Sequence, residues 1–361
     1  MALRRVAITG LGCLAPNGSG REAFARALAR GESGVGRISL FDPEGLPVTI
    51  AGELKGFDPS EHLPAKDVRH VSRAVPIAIA ASAEAFADAG LDTNAMDLGE
   101  RREIGVVLGS GGGPVELAER MYHLYYTNQA KKGTVYAIAS GTIGSLSSEL
   151  SMRFDLRGPS HVVSTGCTSS TDALGYAFRS IKFGTAHTVL AGGVDSTVVR
   201  GIMEGFVLMR AVSTAWEREP ARASRPFSAD RDGFVLGEGA WMFVLEDLER
   251  ARARGARIYA EVRGWGATCD AHHRVRLDES GEEPARAMRL AVEESGLPPE
   301  ALGYVAYHGS STPLNDPVET RAMRLAFGPV ANRIPGSSVK SMIGHPQGAS
   351  GSAGLAATLL G

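Results

Sequence analysis

Short runs of β-branched and aliphatic residues, each closed by glycine, alternate along the chain with stretches whose apolar positions recur every three to four residues. The runs Val6-Ala-Ile-Thr-Gly-Leu-Gly12, Ile104-Gly-Val-Val-Leu-Gly-Ser-Gly-Gly-Gly113 and Val189-Leu-Ala-Gly-Gly193 predict strands that end in tight turns. Helices are predicted between them by Phe24, Ala27 and Leu28, by Ile77 to Ala89 entered through Pro76, and by Ala173, Leu174, Ala177, Phe178 and Ile181. Strands and helices that alternate in this way pack as an α/β layered fold.

Two segments share one grammar: a strand, a glycine before a reactive residue, then a helix start rich in small residues. They are His161-Val-Val-Ser-Thr-Gly166-Cys167-Thr-Ser-Ser-Thr-Asp172 and Ser338-Val-Lys340-Ser-Met-Ile-Gly344-His345-Pro-Gln-Gly-Ala-Ser. Arg5–Gly12 and Ile258–Gly266 correspond in the same way, so the chain reads as a duplication with halves at 1–250 and 251–361. The first half continues past its cysteine helix with apolar strands near His187–Gly193 and Ala240–Glu246, whereas the second half has only sixteen residues after His345. On this comparison the second half lacks its closing strands, which would leave a sheet edge exposed, so the expectation is either that the sequence is a fragment or that something else supplies the closure.

Composition narrows the function. The 361 residues carry 38 Lys+Arg against 40 Asp+Glu and are 43% hydrophobic, which fits a folded globular chain and leaves no basic excess for a nucleic acid. No apolar run reaches the roughly 20 residues of a membrane helix. The opening stretch Val6–Ala15 is broken by Thr9, Gly10 and Gly12 and reads as a strand rather than a signal peptide. Cys13, Cys167 and Cys269 are too few and too scattered for a disulfide framework or a zinc site. The expectation is a cytoplasmic protein with no bound metal.

Cys167 stands between a β-branched strand and a helix start, where unpaired N–H groups and the helix dipole favour thiolate. The plain alternative, a small buried hydrophobe, is taken for Cys13 and Cys269. His308 ends the apolar run Tyr304–Tyr307 and is followed by Gly-Ser-Ser-Thr, while His345 holds the repeat position of Cys167. Each histidine alone reads as structural, but together they lie at strand ends where α/β sheets build sites, and beside a thiol they can activate it or hydrogen-bond an oxyanion. Lys340 is expected in the strand before His345. With Glu319 it is either a surface charge pair or a support that orients the imidazoles. Ser110–Pro114 reads as a turn, His272-His273 as a solvent loop, and Arg225–Gly239 carries no chemistry by pattern alone.

As a set, these residues resemble the β-ketoacyl-[acyl carrier protein] synthases, condensing enzymes of the thiolase superfamily. The resemblance spans essentially the whole chain. It rests on Ser164-Thr-Gly-Cys-Thr-Ser-Ser170, Arg225-Pro-Phe-Ser-Ala-Asp-Arg-Asp-Gly-Phe-Val-Leu-Gly-Glu-Gly239, His308-Gly-Ser-Ser-Thr-Pro313 and Lys340-Ser-Met-Ile-Gly-His-Pro-Gln-Gly-Ala-Ser-Gly351. The Thr-Gly-Cys-Thr-Ser form is also similar to ketosynthase subunits of type II polyketide systems.

The resemblance implies a thiolase-like fold of duplicated βαβαβ halves in α-β-α-β-α layers. It implies an acyltransferase with a Cys167–His308–His345 site, a Lys340–Glu319 ion pair, and Ser310 and Thr312 against the phosphopantetheine arm. Cys167 would take an acyl group from an acyl carrier protein and condense it with malonyl carrier protein to a 3-oxoacyl product, with no cofactor beyond the carrier's arm. It further implies a homodimer, or a heterodimer with a related subunit, paired near His187–Gly193. Acidic carriers make Lys66, Arg69 and Arg210 candidate docking residues, with simple solvation as the alternative. The family's Gly-Phe-Gly-Gly loop, whose Phe gates the pocket, is not reached before Gly361, so the chain alone is expected to be poorly stable or inactive unless another chain completes it. Fatty-acid elongation, a polyketide pathway, a non-catalytic chain-length partner and a Cys–His hydrolase are the competing readings; the hydrolase explains neither His345 nor Lys340.

Overall fold

The computed structural model describes residues 3–361. Its main sheet runs in the order Gly18–Ser19, Val6–Ala15, Glu238–Asp247, Thr188–Ser196, Ile104–Gly109, Ser160–Val163, with Ala260–Val262 also pairing Val6–Ala15. Ile104–Gly109 is parallel to both of its neighbours, and the long strands Val6–Ala15 and Glu238–Asp247 are antiparallel. Both of these long strands are buried along their whole length, because helices cover both faces of the sheet.

The strand period of two sorts side chains between those faces. Ala240, Met242 and Val244 pack with the helix Ala74–Ala89, while Trp241, Phe243 and Leu245 pack with Ser169–Lys182 and Ser350–Leu360. Beyond this middle helix pair lies a small parallel sheet of Val305–Ala306 and Gly336–Ser337. The helices Glu282–Ser295 and Asn315–Phe327 cover it through Met288, Val292, Met323 and Phe327. The result is helix, sheet, helix pair, sheet, helix pair: the five layers implied by the resemblance.

The middle helices touch closely. Ser352 N donates to Ser170 Oγ at 3.0 Å, and a Cβ on Gly351 would fall 2.0 Å from Thr171 Oγ1, so only glycine allows the contact. Cys167 precedes one of these helices and His345 the other.

Four expectations are corrected. The strand Thr188–Ser196 is interior, hydrogen-bonded on both sides, so it cannot be the pairing edge; the open edge is Ser160–Val163. Lys340 does not lie in a strand but opens the short helix Lys340–Ile343, three residues past the end of Gly336–Ser337. The segment Ile258–Gly266 forms only three strand residues. Cys13 is buried, but Cys269 is exposed. No helix among the described residues is long and apolar enough to cross a membrane.

Candidate active site

The chain leaves the edge strand at Val163 and reverses through Gly166, whose φ of 68° lies in the left-handed region that a side chain would strain. Cys167 follows in a single 3₁₀ turn, Gly166–Thr168, directly before the helix Ser169–Lys182. Ser169 locks this elbow: its hydroxyl accepts from Thr165 N at 3.0 Å and donates to Gly166 O at 2.5 Å. The thiol is half-buried. Burial pushes it above its ordinary value, with Lys340 pulling down and Asp195 pushing up. Removal of the sulfur from water disfavours its charged form and so works against the thiolate preference expected at a helix start.

His308 is gripped by its main chain. Glu319 accepts from His308 N at 2.6 Å and Gly309 N at 2.8 Å, and Lys340 Nζ donates to His308 O at 2.7 Å. The expected Lys340–Glu319 ion pair is thus replaced by two grips on one peptide segment, and neither group touches an imidazole nitrogen. Among the described residues nothing hydrogen-bonds the His308 ring, which leaves both nitrogens open to a substrate. Burial lowers Lys340 to about 8. It raises Glu319 against the pull of the two N–H donors.

His345 is held as if in a strand, its N donating to Val235 O at 2.6 Å and its O accepting from Gly237 N at 3.0 Å. Its Nδ1 accepts from Gln347 N at 3.1 Å and from Ser350 Oγ at 3.0 Å. A backbone N–H can only donate, so the ring proton sits on Nε2. Burial, and then the Lys340 charge, push both imidazoles well below their ordinary range, so both are neutral at pH 7. Their rings lie 5.2 Å apart at 77°, with Phe234 packed 5.1 Å from His345.

The thiol and the two imidazoles converge: one ligand-type atom from each of Cys167, His308 and His345 lies within 4.8 Å of the others. That spacing could also ligate a soft divalent ion, though the buried ammonium of Lys340 opposes one. Chemically it offers a nucleophile beside two neutral imidazoles, of which His345 presents Nε2–H, an arrangement that suits charge appearing on a substrate oxygen. Ser310 and Thr312 bond each other at 2.9 Å on the loop after His308. Lys66, Arg69 and Arg210 are exposed at loop and helix-end positions.

Several residues escaped the sequence reading. Asp195, fully buried, accepts from Ser110 Oγ, Gly111 N, Gly112 N and Gly348 N at 2.6–2.9 Å, tying the Ser110–Pro114 turn to the loop after His345. A carboxylate ending an apolar strand was the available signal. The Arg225–Gly239 segment, to which pattern alone gives no chemistry, supplies Val235 and Phe234 to His345, and its Arg231 donates to Thr312 O at 3.0 Å. Gln347 and Ser350, inside a quoted motif, went unremarked.

The chain is similar to known proteins along its length. Residues 3–251 match the model for the beta-ketoacyl synthase N-terminal domain, and residues 259–361 match that for the C-terminal domain. The chain is 39% identical over 353 residues to 3-oxoacyl-[acyl-carrier-protein] synthase 2 of Vibrio cholerae, covering 98% of this chain and 84% of that protein. Among solved structures, it is similar to the ishigamide ketosynthase/chain length factor, with a TM-score of 0.90 and 32% identity, covering 99% of this chain and 86% of that one. It is also similar to a type II polyketide acyl-carrier protein in complex with its ketosynthase bound to the hexaketide, with a TM-score of 0.88 and 30% identity over 99% and 86% of the two chains.

Proposed function

The chain belongs to the beta-ketoacyl synthase family, and from that membership we propose a two-stage condensation run by Cys167, His308 and His345. The reaction is the decarboxylative Claisen condensation of an acyl group with malonyl-[acyl carrier protein], giving a 3-oxoacyl-[acyl carrier protein] in fatty-acid or polyketide biosynthesis. In the first stage, Cys167 Sγ attacks the carrier's thioester. The Sγ–C bond forms, the carrier's C–S bond breaks, and the thiol proton ends on the departing pantetheine sulfur. In the second, malonyl carrier protein loses CO₂ while the two imidazoles donate N–H bonds to the enolate oxygen. The enolate carbon attacks the Cys167 thioester, and the thiolate leaves and regains a proton.

The observation that carries this reading is the approach of the three groups to within 4.8 Å with His345 presenting Nε2–H. Lys340 and Glu319 act through the His308 main chain, and Lys340 adds positive charge near the developing enolate. Ser310 and Thr312 are assigned to the pantetheine arm. The residues supply the nucleophile, the donors and the charge, so the reading asks for no cofactor or metal beyond the carrier's arm.

Lys66, Arg69 and Arg210 are the docking candidates for an acidic carrier in a cytoplasmic setting. Arg69 also lines a cavity of about 530 Å³ with Arg120, Lys131 and Lys132 and with no carboxylate in its wall. A dimer, with itself or a related subunit, is assigned to the open edge Ser160–Val163. Exposed Tyr136 and Met152 line a cavity with Ser160 and His161 beside it.

The test is intact mass after incubation with acyl carrier protein carrying an acyl group, followed by malonyl carrier protein. A mass gain of one acyl group on Cys167, absent in Cys167→Ala, and a 3-oxoacyl product are expected. Acyl label on the Cys167→Ala variant would place the nucleophile elsewhere. A chain that binds carrier but never acylates would instead be a non-catalytic partner subunit.

A further inference from the structure

We propose that Gln347 is a catalytic residue whose side-chain amide contacts the sulfur of Cys167, accepting from the thiol at rest and donating to the sulfur as it becomes negative. The inference deepens the reading of Cys167 as nucleophile and rests on it. Gln347 Oε1 lies 4.0 Å from Cys167 Sγ, within reach of an S–H donor. The residue is buried, and its amide nitrogen has only a long contact of 3.5 Å, to His345 O.

Its backbone is left-handed at φ 43°, a conformation that strains any residue with a Cβ. Two anchors impose it. Gln347 N donates to His345 Nδ1, and Gly348 N donates to Asp195 Oδ2 at 2.6 Å. The strained turn directs a polar side chain at the reacting atom.

A primary amide is suited to both charge states of a thiol. Its carbonyl accepts from S–H, and rotation by half a turn about its last bond presents N–H₂ to the sulfur instead. In acyl transfer the Sγ–C bond forms, the carrier's C–S bond breaks and the thiol proton ends on the departing sulfur, so the amide exchanges only hydrogen bonds. The other charged or titratable groups facing the sulfur are His308 and Lys340 from the second half, His345 from the same loop and Asp195 from the central strand. The imidazoles are neutral, and Lys340 and Asp195 act on the thiol in opposite directions. The amide is the dipole in this group with no competing partner at short range.

The experiment is the pH dependence of iodoacetamide alkylation on the full chain, read peptide by peptide, in Gln347→Leu and Gln347→Glu. Exposed Cys269 serves as the internal reference. The Cys167 midpoint is expected to rise by about one pH unit in Gln347→Leu, making alkylation about ten-fold slower below the midpoint, and further in Gln347→Glu, while Cys269 stays unchanged. A purely structural role would lower the melting temperature without moving the Cys167 midpoint selectively. An unshifted midpoint in both variants overturns the inference even if condensation is intact. If Gln347→Leu fails to fold, Gln347→Met, which keeps the side-chain length and removes the amide, decides in its place. A shifted midpoint in a chain that never accepts an acyl group would sustain this inference while sinking the condensation reading.

Discussion

The backbone N–H of Gln347 donates to Nδ1 of His345 at 3.1 Å, and that bond decides which face of the imidazole carries a proton. With Ser350 Oγ donating to the same nitrogen, Nε2–H is left to meet a substrate oxygen. His345 is therefore a donor at neutral pH without being charged, which is what an enolate needs and a thiol-activating base does not.

The two stages should separate in His345→Ala. Acylation of Cys167 should fall much less, because the elbow stays and only one anchor of Gln347 is lost, while condensation should fall by about 10²–10³ for the loss of one oxyanion donor. Intact mass reports the first and product formation the second. Equal loss of both would make His345 a base rather than a donor.

Lys340 should set an alkaline limit. It holds its proton only below about 8, so condensation should decline above that pH as the charge near His308 is lost. Lys340→Met should lower activity throughout and flatten this limb. For stability the sign is opposite. Because the folded value lies below the ordinary 10.5, the folded chain binds fewer protons between the two, and wild type should gain stability relative to Lys340→Met as pH rises through that window. Urea melts across pH 7.5 to about 10.5 would check it.

Gly351→Ala drives a methyl group into Thr171 and should destabilise by about 1–3 kcal/mol, with condensation falling more than acylation as the helices part. Gly205→Ala, where a Cβ meets open space within the helix Arg200–Leu208, should be neutral or stabilise by up to about 1 kcal/mol. Thermal melts of the pair with opposite signs would verify the contact.

Asp195→Asn leaves two of four donors facing an N–H₂ group in place of an oxygen. A loss of about 2–3 kcal/mol in urea unfolding is expected, with Gly111, Gly112 and the loop after His345 loosening together in hydrogen exchange. Unchanged exchange at Gly348 would dissociate Asp195 from that loop.

Glycine-punctuated apolar runs made the main strands legible, because a buried strand and its tight turn each leave a local mark. The repeat made Cys167 and His345 legible as counterparts, since both stand where a strand passes into a small-residue helix. What stayed hidden depends on chain partners far apart. Nothing near residue 195 says that its carboxylate meets Gly348, 153 positions away, and nothing near Phe234 points to His345. The edge position of Ser160–Val163 was missed because strand order is a property of the assembled sheet. Lys340 was misplaced because the strand before it ends after two residues.

The sulfur and the ring of His345 stand at the heads of two helices pressed together at Gly351, so their separation is inherited from the middle of the molecule. Selection among acyl chains cannot adjust that gap without prising the interior apart. A wider or narrower site would have to come from remodelling walls more distant from these two groups.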